Sequence, residues 1–214
     1  MKPFLVSIMI AGSLFAQAQT REPVTGEIKG TLTDGNGNPV AAATVYAVPQ
    51  DLTFDSVTPR SITTDRRGEF DFHGDFRLGA YKIYSRKDAD AYPDRSDSFY
   101  ADSKVEPPKV ELTEDHPSAT VALSLGEKAG VVSGRVVDAD TGVTLKAKLV
   151  FIDEDGNSHS VMTNGKYRAL VPSGKNVSLM VMVMDANYGS QSPVAPVQLA
   201  PGQEMHMDIP LSKR

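Results

Sequence analysis

IKGTLTDGNGNPVAAATVYAV, residues Ile28–Val48, is echoed further along the chain by VSGRVVDADTGVTLKAKLVFI, residues Val132–Ile152. Gly30 answers to Gly134, Asp34 to Asp138, Ala43 to Ala147 and Val45 to Leu149, with a one-residue slip inside the turn. The correspondence continues through DRRGEFDF (Asp65–Phe72) and TNGKYRAL (Thr163–Leu170), then LGAYKIY (Leu78–Tyr84) and PSGKNVSLM (Pro172–Met180). Lys109–Leu125 and Pro196–Leu211 close the two units in the same way. A period of about a hundred residues is too long for a solenoid and predicts two whole domains in tandem.

Outside the repeat, Met1–Ala18 has the three parts of a secretory leader. Lys2 is the basic start, Phe4–Phe15 the apolar stretch, and Ala16-Gln17-Ala18 the small-x-small cleavage site. That apolar stretch is shorter than the roughly 20 residues a spanning helix needs. The expectation is therefore a cleaved leader, no membrane span after its removal, and a periplasmic or extracellular destination. With no Cys there is no thiol for lipid attachment, and disulfides, thiolate metal sites and cysteine nucleophiles are all excluded. Each domain must stand on its apolar core. A net charge of −5 argues against nucleic acid, whose phosphates call for clustered Lys and Arg.

The domain boundaries fall at 19–126 and 127–214, joined by the short linker Leu125–Gly130. Alternating runs such as EIKGTLT (Glu27–Thr33) and β-branched runs such as Lys148–Ile152 predict strands. Turn clusters rich in Asp, Asn and Gly separate them, at Asp34–Pro39, Asp138–Gly142, Asp153–Asn157 and Thr163–Gly165. After the leader no segment carries a helical stripe. The fold class is all-β, two tandem antiparallel β-sandwich domains.

The repeated unit resembles the carboxypeptidase regulatory-like domain, a transthyretin-like sandwich grouped with carbohydrate-binding-like folds. The first unit matches that family's pattern at Gly30, Asp34, Pro39, Ala43, Val45, Thr64, Asp65, Gly68, Phe70, Gly79 and Tyr81. The second matches at Gly134, Val136, Asp138, Thr141, Gly142, Ala147, Gly165, Tyr167, Pro172 and Gly174. The resemblance implies a seven-stranded sandwich serving as an accessory or spacer unit. Every matched residue has a structural role, so it implies nothing about catalysis.

Asp34, Asn36 and Asn38 are spaced like the start of a calcium loop, but Pro39 and Val45 stand where such a loop needs Gly and Glu. A hairpin turn accounts for every residue, and the same holds for Asp153, Asp155 and Asn157. His73, His116, His159 and His206 are dispersed without metal-ligand spacing. No nucleophile elbow or phosphate loop occurs, and no enzyme activity is expected.

The two units differ in one loop. Arg86–Pro108 runs for 23 residues, while its counterpart Asp185–Val194 is less than half as long. Loops of that length without structure of their own tend to be functional or mobile. Asp88, Asp90, Asp94 and Asp97 could together cage Ca²⁺, although Arg86, Lys87 and Arg95 among them would oppose it. Tyr92, Phe99 and Tyr100, with Tyr188 on the short loop, are candidate stacking faces for a sugar. The tip is expected to be exposed, with Phe99 or Tyr100 packed back on the first domain. These readings predict a monomeric, non-enzymatic interaction or spacer module at a bacterial cell envelope, its partner an envelope protein or glycan. A carbohydrate-binding module that uses the loop aromatics is the alternative.

Overall fold

Alternation sets the faces of every sheet. In β1 (Glu27–Thr33) Ile28, Gly30 and Leu32 are buried while Lys29 and Thr31 are exposed. In β9 (Ala147–Asp153) Ala147, Leu149 and Phe151 are buried and Lys148, Val150 and Ile152 lie half-buried on the other side. The computed structural model describes residues 25–50, 59–74, 76–101, 106–185, 187–189 and 191–213. The expected leader Met1–Ala18, the tail that follows it and positions 102–105 of the long loop lie outside the described residues.

The remaining strands of the first half are β2 (Thr44–Pro49), β3 (Arg60–Thr63), β4 (Glu69–Asp71), β5 (Gly79–Arg86), β6 (Lys109–Leu112) and β7 (Ser118–Ser124). They form sheets in the orders β4-β1-β7 and β3-β2-β5-β6. The second half has β8 (Gly130–Asp138), β9, β10 (Ser158–Thr163), β11 (Lys166–Val171), β12 (Val177–Val183) and β13 (Gln191–Val197). It ends with β14 (Glu204–His206) and β15 (Ile209–Leu211). Its sheets run β11-β8-β14, with β15 continuing along β8, and β10-β9-β12-β13. The strand order is the same in both halves. One core gathers Ile28, Leu32, Val45, Phe70 and Ile83; the other gathers Val136, Leu149, Phe151, Val181 and Leu211.

The sheets are not wholly antiparallel, as the sequence led us to expect. β7 runs parallel to β1, and β14 and β15 run parallel to β8. The cause is the connection. Residues 113–117 carry the chain from the end of β6, in one sheet, across to the other, so β7 arrives in the direction of β1.

The parallel pairing explains Gly30 and Gly134. A Cβ at Gly30 would stand 1.9 Å from the carbonyl oxygen of Val121, and one at Gly134 1.9 Å from that of Met207. An aromatic ring from the neighbouring strand lies opposite each glycine: Phe70 pairs with Gly30 and Tyr167 with Gly134. The Tyr167 hydroxyl donates to the Met207 carbonyl at 2.7 Å, and burial pushes the phenol up to about 12. The Asp- and Asn-rich turns close on their own side chains. Asp34 accepts from the amides of Asn36 and Asn38, and Asp153 from those of Asp155 and Asn157.

Gly30→Ala and Gly134→Ala should each destabilise the protein by about 1–3 kcal/mol or more, because the contact is with rigid backbone. Urea unfolding followed by circular dichroism measures this, and an unchanged midpoint for both variants would contradict the packing described.

Candidate functional site

The long loop is three short segments, each held by different neighbours. In the first, Lys87 and Tyr92 exchange backbone hydrogen bonds of 2.9 and 3.1 Å around a 3₁₀ turn, Asp88–Asp90. The turn ends at Ala91, whose φ of 64° is left-handed and uncommon outside glycine. Tertiary contacts hold it there. The Ala91 amide donates to Asp88, and the Ala91 carbonyl accepts from the amide of Ala129 at 2.8 Å, in the linker between the halves. The Ala91 methyl is buried with Ala129, Val131 and Leu170 of the second half. Lys87 pairs with Asp90 at 2.6 Å, and Lys128 places its ammonium 5.2 Å from the centre of the half-buried Tyr92 ring.

The second segment, Pro93–Ser96, lies on the outer face of the first sandwich. Tyr46 points outward from β2 and stacks on Tyr84 of β5, ring centres 5.5 Å apart, yet it is buried because the loop covers it. Its hydroxyl donates to the Asp94 carboxylate and lies 3.0 Å from Ser96 Oγ, while Arg86 Nη1 stands 3.7 Å from Asp94.

The third segment leaves the first sandwich altogether. Phe99 is 1% exposed and sits in the core of the second sandwich, among Phe151, Val161 and their neighbours. Its ring stacks on His159 of β10 at 5.9 Å and meets Tyr100 edge-on at 5.0 Å. Asp97 accepts from the Phe99 amide and contacts His159 Nδ1, both at 2.9 Å. The Tyr100 hydroxyl donates to the carbonyl of Leu170 in β11 at 3.0 Å, and Arg168 donates to the carbonyl of Asp88. Burial, reinforced by the carboxylates of Asp97, Asp88 and Asp94, pushes the Tyr100 phenol upward, so it remains a neutral donor. Together these residues close the side of the second sandwich between β10 and β11.

The first sandwich closes the same side from within. Arg60, opposite Ala47, lies 4.9 Å over the ring of Phe76, as His159, opposite Phe151, lies on Phe99. Phe76 belongs to the connection between β4 and β5; the matching connection between β11 and β12, one residue shorter from Tyr167 to Leu179 than from Phe70 to Ile83, carries no aromatic. The second sandwich therefore takes its closing aromatic from the loop of the first.

Several expectations are corrected by this arrangement. Phe99 packs on the second sandwich and not back on the first. Phe99 and Tyr188 are buried, so neither offers a free face for stacking, and of Tyr92, Phe99, Tyr100 and Tyr188 only Phe99 and Tyr100 come together. The four carboxylates are dispersed: Asp88 and Asp90 on the 3₁₀ turn, Asp94 on the first sheet, Asp97 against His159. Among the described residues no three His, Asp or Glu side chains converge as a metal site. His159, Arg168 and Ala91 were not singled out from the sequence. The one local trace of their role is that His159 occupies an inward position in an otherwise alternating strand.

Tyr188 marks a second buried contact. Its hydroxyl donates to Asp138 at 2.5 Å, and Asp138 also accepts from the hydroxyl and amide of Thr141, each at 2.7 Å. The Tyr188 bond first, then Thr141, holds the Asp138 carboxyl well below the usual carboxylate range; the same bond pushes Tyr188 up to about 12.

No protein-family model matches the chain, and no curated protein is similar to it at a significant level. Among solved structures, the TIE protein of Bacillus anthracis is 15% identical over 89% of this chain, with a TM-score of 0.36. This chain spans 34% of that protein. The shaft pilin SpaA of Lactobacillus rhamnosus GG is 12% identical over 89% of this chain and 98% of its own, with a TM-score of 0.37. The minor pilin GBS52 of Streptococcus agalactiae is 12% identical over 88% and 96%, with a TM-score of 0.37. At such scores the assignment of the fold rests on the strand pairing alone. Among the described residues no helix is long and apolar enough to cross a membrane.

Phe99→Ala should cost about 3–5 kcal/mol, the usual penalty for emptying a buried phenylalanine site. Deleting Asp88–Ser98 should lower the melting temperature substantially, whereas an unchanged transition would mean the loop is not part of the core. Tyr188→Phe tests the pH dependence. A carboxyl with a lowered folded pKa contributes stability above its ordinary value of about 4, and that contribution is lost as pH falls through the folded value. The gap in Tm between wild type and Tyr188→Phe should therefore be widest above roughly pH 5 and shrink toward roughly pH 2. A constant gap across that range would count against the assignment.

Proposed function

We propose that this chain is an exported, non-enzymatic interaction or spacer module of the bacterial cell envelope, acting in the periplasm or outside the cell. It is built from two tandem carboxypeptidase regulatory-like domains, 19–126 and 127–214, behind a cleaved leader. The observation that carries this reading is the burial of Phe99 in the second core. A spacer has to hold its two ends at a defined separation, and a short linker alone leaves relative motion as the default. Here the loop crosses the junction and is fixed on both sides, by Tyr46 on the first sandwich and by Leu170 and His159 on the second. Phe99, Tyr100 and Asp97, which sequence alone offered as parts of a ligand site, are used to join the two sandwiches, which supports a mechanical role for the loop over a sugar-binding one.

The test uses the natural lack of cysteine. Spin labels on Thr31→Cys and Lys166→Cys, both at exposed strand positions, report the separation of the two halves by pulsed electron resonance. A single narrow distance distribution is expected, broadening in Phe99→Ala. A broad distribution in the parent protein would defeat the spacer reading. Export is checked separately: the mass of secreted protein should correspond to a chain beginning at Gln19.

A further inference from the structure

Among the described residues, the outer face of the β10-β9-β12 sheet is apolar and basic, with three methionines exposed on it. In register, Met162 of β10, Lys148 of β9 and Met182 of β12 form one row across it. Val150 and Met180 form the next row, and Met184 lies beside Lys146 at the other end, its amide bonded to the Lys146 carbonyl. Met162, Met182 and Met184 are 56%, 41% and 54% exposed, three large apolar side chains close together on one face. Single exposed apolar residues are ordinary, but a contiguous group rimmed by polar side chains marks a contact surface. Among the described residues no carboxylate pairs with Lys146 or Lys148.

The first sandwich shows what such a face takes. By the repeat, the row Thr63–Thr44–Arg86 occupies the place of Met162–Lys148–Met182. That row also carries one cation, Arg86, and the chain's own segment Pro93–Ser96 lies beside it, with the carboxylate of Asp94 3.7 Å from the guanidinium and bonded to Tyr46. The second half has no loop long enough to do the same. We propose that this face binds an extended acidic segment of another protein, with carboxylates at alternate positions and apolar side chains between them. The spacing fits: Lys146, immediately before β9, and Lys148 within it are two residues apart, about 7 Å in extended chain, and an extended peptide repeats its side chains on one face at the same interval. Lysine stems and methionines adapt to varied apolar side chains, while the two ammonium groups select acidic partners over neutral ones. The surface shares β10 with the Phe99 junction, but Met162 points to the opposite face from His159, and the proposal does not depend on the spacer reading.

The experiment is a random twelve-residue peptide-display selection on the full-length chain. Labelled synthetic copies of the selected peptides are then measured by fluorescence polarisation. Selected sequences should carry Asp or Glu at alternate positions beside apolar residues. Lys148→Glu, and separately Met162→Ser with Met182→Ser, should each weaken binding at least about tenfold, or by about 1.4 kcal/mol. Melting curves of the variants confirm that these surface changes leave the fold intact. Enrichment of neutral or basic peptides, no enrichment, or binding indifferent to Lys148→Glu would overturn the proposal. So would self-association in sedimentation equilibrium that the same substitutions abolish, which would assign the face to a second copy. Capture by phosphatidylglycerol vesicles with that sensitivity would assign it to a membrane surface and equally end the proposal.

Discussion

Phe99 fills the gap between β10 and β11 because the second half of the chain has no aromatic of its own for that place. A two-sheet sandwich is open along its sides, and an opening that reaches the core must be filled, since an empty apolar site forfeits both contacts and transfer free energy. The first sandwich meets this need with Phe76 on the segment between β4 and β5. The second connects β11 to β12 through a tight turn at Pro172–Gly174 and has nothing to insert. The loop of the first half supplies the ring, and the backbone and polar contacts around it follow. Ala91 adopts a left-handed conformation to reach Ala129, Tyr100 donates to β11, and Asp97 holds His159 against Phe99.

One consequence is that the two sandwiches are energetically coupled although each has its own core. Truncating a loop residue of the first half damages the packing of the second. Repeat units of this kind are usually linked by exposed segments with few crossing contacts. Here the crossing contacts include a buried phenylalanine, so relative motion of the two halves requires removing that ring from a packed interior.

The long loop also accounts for the difference between the two outer faces. Its middle segment lies over Tyr46 and Tyr84 and places Asp94 beside Arg86, while the matching face of the second half keeps Met162 and Met182 in solvent beside the half-buried Lys148. The same strand order thus presents one finished face and one available face. The longer loop of the first unit makes both the contacts that join the halves and this asymmetry.

Much of the architecture was legible in the sequence, because it is written in short-range signals. Alternation in Glu27–Thr33 or Ala147–Asp153 assigns a buried face directly, and the Asp- and Asn-rich turns close on their own side chains within a few residues. Gly30 and Gly134 stood out as a matched pair of glycines in the repeat, but the carbonyls that approach them became clear only with the parallel pairing of β7 and β14. The destination of the loop was not legible at all. That Phe99 is apolar and must be buried follows from its chemistry. That it is buried in the second sandwich depends on a cavity whose walls, Phe151, Val161 and His159, come from strands about fifty or more residues away and exist only once both sheets have formed. Local sequence determines which side chains seek the interior; only the assembled sheets determine which interior has room.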